Sequence, residues 1–283
     1  MDIKNVCIIG SGIMGSGIAQ LIATYGYNVN LVDINNVILN NALSVIEKNL
    51  EKFFVAKNKI TKEEAENILN RINVYVDRNK ALDGVQMVIE AISENMVIKQ
   101  HLFSELDEIC EKKIILASNT SSLSITKIAQ KSINQDRIVG MHFFNPAPVM
   151  KLIELIRGQY TSDETMDISK KFSESLNKTV VSITDSPGFV SSRLIYVLCN
   201  EAINMQREGI ASTKDIDSIC KLAFNFPMGP LELSDLVGND VYLNIGEYLT
   251  KEFGEKYKPS QLLKDMVSEE SLGRKTKKGF YEY

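Results

Sequence analysis

The segment Gly10-Ser11-Gly12-Ile13-Met14-Gly15 follows the β-branched run Val6-Cys7-Ile8-Ile9 directly and leads into Ser16-Gly17-Ile18-Ala19-Gln20-Leu21-Ile22-Ala23, which has helical spacing. Few folds accommodate a strand that turns into a helix through three such glycines. Gly10 makes the tight turn, Gly12 lets a pyrophosphate approach the backbone, and Gly15 lets the helix pack close to the strand. The helix start offers backbone N–H groups and a positive dipole end to a phosphate, and Ile13 and Met14 of the fingerprint are expected beside the cofactor with the glycines. Asn28 to Asp33 reads as a second strand ending in an acid, and Asp33 follows Gly15 by 18 residues. A ribose-binding carboxylate is expected about 20 residues on. Such an acid accepts a hydrogen bond from the adenosine 2′-OH and repels a 2′-phosphate. Residues 34 to 36, Ile-Asn-Asn, supply no compensating cation. The pattern predicts a dinucleotide-binding, Rossmann-type domain that prefers NAD, although one aspartate does not by itself bar NADP.

Strand and helix signals alternate through the first half of the chain. Residues 35 to about 72 read as helix, with Leu43, Ile46 and Leu50 on one face and Phe53 and Phe54 about a turn later. Thr61-Lys62-Glu63-Glu64 has the form of a capping box opening a second helix. An insertion this long between the second and third strands implies a helical hairpin added to the core. Lys52, Lys57, Lys59 and Lys62 give it a basic side, which serves either as a solvated face or as a landing site for an anionic group such as a nucleotide phosphate. Further strands are expected at 72–76, 85–92 (ending before Ser93-Glu94-Asn95), 114–117, 138–142, 151–156 and 179–183, with helices at 96–111 and 163–176.

Three features after these strands carry chemistry. Ser118-Asn119-Thr120-Ser121-Ser122, continuing past Leu123 to Ser124, follows a buried strand with small polar residues. They either cap the next helix or present hydroxyls at the carboxyl edge of the sheet, where ligands of such folds lie. His142, one of only two histidines, ends an apolar run just before Pro146 and Pro148. Read alone it is a structural histidine at a strand end. Glu154 is an acid among apolar residues, and a buried charge is costly unless paired. If the segments flanking the proline loop run side by side, Glu154 comes near His142, and a carboxylate behind an imidazole fixes its tautomer and raises its basicity.

Strand signals vanish after Asp185-Ser186-Pro187-Gly188-Phe189. Helices are expected at about 190–208, 213–224, 230–237, 239–253 and 260–268, which places a Rossmann-type domain at 1–187 and an all-α domain at 188–283. The terminal Leu272–Phe280 stretch, basic and carrying glycines, reads on its own as a frayed end. A formal net charge of −4 gives no electrostatic reason to expect nucleic acid or an anionic membrane as partner. No apolar run approaches the ~20 residues of a membrane span. The start of the chain shows no leader pattern. Cys7, Cys110, Cys199 and Cys220 are far apart, which suits buried thiols in a reducing, cytoplasmic setting, and the absence of a His/Cys cluster argues against a metal enzyme.

Taken together, Gly10–Gly15, Ser118–Ser122, Met141-His-Phe-Phe-Asn-Pro146, Asp185–Phe189, Pro227-Met-Gly-Pro230 and Gly273-Arg-Lys…Gly279-Phe-Tyr resemble the 3-hydroxyacyl-CoA dehydrogenases, above all the short bacterial 3-hydroxybutyryl-CoA dehydrogenases, over nearly the whole chain. The resemblance implies an NAD-dependent, reversible oxidation of a short (S)-3-hydroxyacyl-CoA in fatty-acid or butanoate metabolism. It also implies a helical domain that contributes to the substrate site and dimerises. It makes His142 the base, Glu154 the acid that orients it, and Ser121 a hydroxyl beside the reacting oxygen. It places Asp33, Glu94, Lys99, Asn145 and Lys275 around the cofactor, and the helix bearing Lys52 and Lys57 near the CoA phosphates.

One position departs from the family pattern. Where Pro-Gly-Phe-x-x-Asn-Arg is usual, this chain reads Pro187-Gly188-Phe189-Val190-Ser191-Ser192-Arg193. Ser192 is shorter than the asparagine that touches the substrate carbonyl in the family. Losing one oriented donor of that kind can cost on the order of 10²–10³ in rate. Lys277 likewise stands where glycine is common. Two rival readings follow: a dehydrogenase of a non-CoA hydroxy acid on the same fold, and a nucleotide- or CoA-binding protein with little turnover.

Overall fold

The computed structural model describes residues 2–283, and the chain divides into two compact units, one running through Asp185 and the other Ser186–Tyr283. The first unit is built on eight strands: β1 (Asn5–Ile9), β2 (Asn28–Val32), β3 (Ile72–Tyr75), β4 (Met87–Glu90), β5 (Ile115–Ser118), β6 (Ile138–Phe143), β7 (Leu152–Arg157) and β8 (Thr179–Thr184). Their order across the sheet is β3-β2-β1-β4-β5-β6-β7-β8. Neighbours are parallel except β6 and β7, which run antiparallel. Strands β4, β5 and β6 are buried along their whole length, as expected for parallel strands covered on both faces. The strand order reverses between β1 and β4, and a ligand crevice opens at such a switch point, beyond the carboxyl ends of the strands.

Helices α1 (Ile13–Thr24), α2 (Asn36–Leu50), α3 (Lys62–Asn70), α4 (Arg78–Ala81), α5 (Met96–Ile109), α6 (Ile125–Ile128) and α7 (Asp163–Ser175) complete this unit. Helix α1 is buried on most of its surface, and Ile18, Leu21 and Ile22 join Ile8, Leu31 and Met141 in the core. The Thr61–Glu64 capping box opens α3 with both reciprocal bonds in place. The insertion departs from the predicted pattern at one point. Helix α2 widens into a π-helical turn over Glu51–Val55, which shifts the helical register. Leu50 stays buried and Phe54 packs on the core, while Phe53 turns outward and is 42% exposed. The helix expected from Ser124 is a single turn, α6, with the Ser124 hydroxyl accepting from Lys127 N–H.

The second unit contains α8 (Ser191–Arg207), α9 (Thr213–Ala223), α10 (Pro230–Val237), α11 (Asn239–Phe253) and α12 (Gln261–Ser268) around Tyr196, Ile203, Leu231, Leu249 and Leu263. The terminal stretch is not frayed. The buried Asp235 carboxylate accepts from the N–H groups of Phe280 and Tyr281, both at 2.9 Å, and from the Tyr283 hydroxyl at 3.1 Å. Asp217 accepts from Leu231 and Glu232 N–H at the start of α10 and from the Tyr281 hydroxyl at 2.8 Å. Amide and phenol donors convert two buried charges into anchors for the tail. Lys277 has φ 60°, in the left-handed region that glycine adopts at less cost than other residues.

A buried ion pair ties the helical layer of the first unit to the sheet. Arg137, just before β6, reaches Asp107 on α5 through Nη2 at 2.7 Å, and their side chains are 4% and 2% exposed. Arg137 also donates to the carbonyl oxygens of Cys110, Glu111 and Ile114, closing the end of α5. Burial alone would raise the Asp107 pKa, but hydrogen bonds from Asn134 N–H, the Arg137 guanidinium, the Asn134 amide and Ile133 N–H outweigh it and lower the value. A lowered folded-state pKa stabilises above the ordinary carboxylate pKa, and that stabilisation is lost as pH falls through the folded value. Asp107→Asn leaves Arg137 buried without its counter-charge and is expected to destabilise the chain by about 3–5 kcal/mol at pH 7. Urea unfolding should show the gap to wild type narrowing below about pH 4; a gap independent of pH would show that the carboxylate charge is not its source.

Candidate active site

The carboxyl ends of β1, β4, β5 and β6 lie along one edge of the sheet, and each contributes to a polar constellation there. At β1, Gly10 has φ 97°, and a Cβ on Gly15 would fall 1.8 Å from the Gly10 carbonyl oxygen, so neither position admits a larger side chain at this turn. No side chain caps α1, and a Cβ on Gly12 would meet nothing within 4 Å. The helix start is therefore open to an anion, and Ile13, 78% exposed, stands beside that opening with half-buried Met14.

Asp33, just past β2, ties this loop down. Its Oδ2 accepts from Ser11 N–H at 2.7 Å and the Ser11 hydroxyl at 2.8 Å, and its Oδ1 accepts from Ile34 N–H at 2.7 Å. Burial raises the Asp33 pKa, and these three bonds more than offset it, so the net shift is downward. The carboxylate thus stays ionised and keeps acceptor capacity for a ribose hydroxyl. An uncapped helix start, an open glycine face and an ionised acid at the end of β2 fit the pyrophosphate and adenosine ribose of a dinucleotide.

At β6 and β7 the antiparallel register sets His142 directly opposite Glu154. The imidazole Nδ1 and Glu154 Oε2 are 2.8 Å apart, and the residues are 7% and 3% exposed. With Glu154 ionised, Nδ1 carries the proton and the basic lone pair lies on Nε2. The Phe144 ring packs against the imidazole with centroids 4.4 Å apart, and Phe143 N–H donates to Asn119 Oδ1 at 2.9 Å, fixing the strand end to the loop after β5. Asn145 is exposed on the following loop.

The serine-rich loop after β5 is organised by acids from β4 and beyond. Glu94 Oε1 accepts from the Thr120 hydroxyl at 2.5 Å, Ser121 N–H at 3.0 Å and the Ser122 hydroxyl at 3.3 Å. Ser121 itself is half-buried. Lys99 Nζ lies 3.3 Å from Glu94 Oε2.

The remaining predicted residues lie elsewhere. Lys52 and Lys57 sit over the ring of exposed Phe53, at 5.2 and 5.6 Å from its centroid. Ser192 is buried in the first turn of α8, and Lys275 forms an ion pair with Asp240; both belong to the helical unit.

Sequence reading missed two buried groups. Glu90, at the end of β4, accepts from Lys99 Nζ and from the Ser118 hydroxyl. Lys178, 9% exposed, donates to the carbonyl oxygens of Ala147 and Met150, both at 2.7 Å, and so closes the proline loop after Asn145; burial lowers its pKa. Glu90 was findable by the rule applied to Glu154, since Met87-Val88-Ile89-Glu90 also buries an acid in an apolar run. Nothing local to Lys178 marks it.

Comparison with known proteins places this arrangement. The model for the 3-hydroxyacyl-CoA dehydrogenase NAD-binding domain matches residues 5–186, and that for the family's C-terminal domain matches residues 188–283. The chain is 45% identical to a 3-hydroxybutyryl-CoA dehydrogenase of Clostridioides difficile, over 98% of this chain and 99% of that protein. It is 42% identical to the human mitochondrial hydroxyacyl-coenzyme A dehydrogenase, over 99% of this chain and 91% of that protein. The crystal structure of (S)-3-hydroxybutyryl-CoA dehydrogenase from Ralstonia eutropha superposes with a TM-score of 0.95 at 41% identity, covering 100% of this chain and 99% of that one. The chain belongs to the 3-hydroxyacyl-CoA dehydrogenase family, and its first unit is that family's NAD-binding domain.

Proposed function

We propose that this protein catalyses the reversible, NAD(H)-dependent oxidation of (S)-3-hydroxybutyryl-CoA, or another short (S)-3-hydroxyacyl-CoA, to the 3-oxoacyl-CoA. The observation that carries the reading is the buried His142–Glu154 pair at 2.8 Å, set at the sheet edge of an NAD-binding domain. The nicotinamide, when bound, supplies or accepts the hydride. His142 takes the proton of the C3 hydroxyl in the oxidative direction and returns it in the reductive one. Glu154 keeps the tautomer and stabilises the imidazolium that forms. Ser121 donates to the reacting oxygen. Asp33 takes the ribose 2′-OH, Gly10–Gly15 face the pyrophosphate, and Glu94, Lys99, Asn145 and Lys275 complete the cofactor contacts. Lys52 and Lys57 serve the CoA phosphates. Domains 1–187 and 188–283 divide these tasks, the second serving substrate and self-association, and the protein works in the cytoplasm.

Self-association has its own support. The helical unit leaves Leu194 at 68%, Phe224 at 59% and Leu236 at 47% exposure, and a groove of about 590 Å³ is lined by Leu194, Leu198, Phe226, Met228, Leu233 and Leu236. An exposed apolar surface of this kind marks an association site, and a two-fold homodimer is the commonest solution. Light scattering is expected to give twice the mass of one chain, and Leu194→Glu to shift the protein to monomer; a monomeric wild type would refute the proposal.

The direct test of function is NADH oxidation with acetoacetyl-CoA. Robust turnover supports the reading, and affinity for CoA esters over free acids sets it apart from a hydroxy-acid dehydrogenase. His142→Gln is expected to lower kcat by at least about 10²-fold, the contribution of a positioned acid–base group, while NADH still binds. Near-native kcat in that variant would show that the base lies elsewhere. Ser192→Asn is expected to raise kcat or leave it unchanged, and a marked loss would indicate adaptation to a different substrate.

A further inference from the structure

The end of β4 holds an arrangement that neither helix stability nor core packing favours. Lys99 lies in the first turn of α5, where the helix dipole disfavours a cation, and it is 1% exposed. Burial of an ammonium is costly as well. Two carboxylates hold it there. Glu90, wholly buried, approaches Lys99 Nζ to 2.5 Å with Oε1, and Glu94 approaches from the other side at 3.3 Å. Glu90 is itself fixed at both oxygens, because Oε1 also accepts from Ile92 N–H at 2.8 Å and Oε2 accepts from the Ser118 hydroxyl at 2.6 Å. Glu94, 38% exposed, spends Oε1 on Thr120, Ser121 and Ser122. A continuous path of ion pairs and charge-assisted hydrogen bonds therefore runs from the centre of the sheet, through Lys99, to the loop that carries Ser121.

We propose that Glu90 is a positioning residue: it sets the Lys99 ammonium, which holds Glu94, which in turn holds the 120–122 loop and Ser121 in their working geometry. This inference rests on the reading of Glu94, Lys99 and Ser121 as cofactor and substrate contacts. Glu90 has no surface to offer a ligand, so its effect reaches the site through Lys99 first, and through Ser118 at the base of the same loop and Ile92 N–H on the way to Glu94. The triad carries one net negative charge, and removing the Glu90 charge leaves Lys99 to be neutralised by Glu94 alone. Lys99 then draws on a carboxylate that the loop also needs.

Glu90→Gln in the full chain tests this with three readouts: NADH titration by fluorescence without acyl-CoA, kcat and KM for acetoacetyl-CoA, and amide hydrogen exchange over residues 118–124 without cofactor. The expected result is NADH binding weakened on the order of tenfold, the scale of one charge-assisted hydrogen bond, with faster exchange at 120–122 and a lower kcat. Glu90→Gln added to Lys99→Met should weaken NADH binding by much less than Glu90→Gln does in the wild type, because the main path is already cut and only the Ser118 and Ile92 contacts remain. Ser118→Ala removes one donor to Glu90 without changing charge and keeps the test open if Glu90→Gln does not fold; a smaller loss of the same kind is expected. Wild-type NADH affinity and exchange in Glu90→Gln, or in Ser118→Ala where Glu90→Gln does not fold, would overturn the proposal. So would Glu90→Gln and Lys99→Met effects that simply multiply. A wild-type protein that binds NADH but does not reduce acetoacetyl-CoA would sink the functional reading and leave this test standing, since titration and exchange need no turnover.

Discussion

The site depends on the reversal of one strand. In a wholly parallel sheet, the residue beside His142 on the next strand would come from another carboxyl end and point to a loop. Because β7 runs back against β6, a residue from inside the next strand lies level with His142, and that residue is Glu154. Opposed residues in an antiparallel pair share a face, so imidazole and carboxylate meet without help from any loop. A slip of one residue would turn Glu154 to the other face of the sheet and leave a buried acid unpaired. The short connection from Phe144 to Lys151 fixes that register, and Lys178 closes it from below through the carbonyls of Ala147 and Met150.

Buried and half-buried carboxylates recur as organisers through both units, and their donors are mostly backbone or hydroxyl groups rather than cations alone. Asp33 holds the glycine loop through Ser11, and Asp107 holds the turn at Ile133 and Asn134 together with Arg137. Asp235 holds the end of the chain through Phe280 and Tyr281. Each anchors a segment with no regular structure to an element that has it. An acid is suited to this because two oxygens accept several N–H donors at once, and charge-assisted bonds are stronger than neutral ones.

Much of this was legible in the sequence, for reasons that differ by element. The strands were readable because buried parallel strands are short, β-branched runs, and the helices of the second unit because Gly209, Gly238 and the Pro227–Pro230 segment punctuate them. The pairing of His142 with Glu154 could be anticipated because both are polar residues in apolar strands separated by a proline loop. The π-helical turn at Glu51–Val55 was not readable: one extra residue per turn leaves no mark in composition, and its effect on Phe53 appears only in three dimensions. The anchored tail escaped for a related reason. Its partners Asp217 and Asp235 lie some 45 to 64 residues away in sequence, and a basic, glycine-bearing stretch gives no local sign of them.

The serine-rich loop is the most instructive case, because the capping reading holds for one residue while its neighbours serve the framework. Ser124 does cap the helix that follows. Ser118 and Thr120 point their hydroxyls not outward but at Glu90 and Glu94, so two residues that resemble ligand donors serve the framework. Between them and the cap, Ser121 is held to Glu94 Oε1 by its backbone N–H at 3.0 Å and more loosely by its hydroxyl at 3.5 Å. The run of small polar residues is therefore not a row of equivalent hydroxyls. It is a support whose hydroxyls and N–H groups converge on Glu90 and Glu94, at the neighbouring strand end where the order of the sheet reverses.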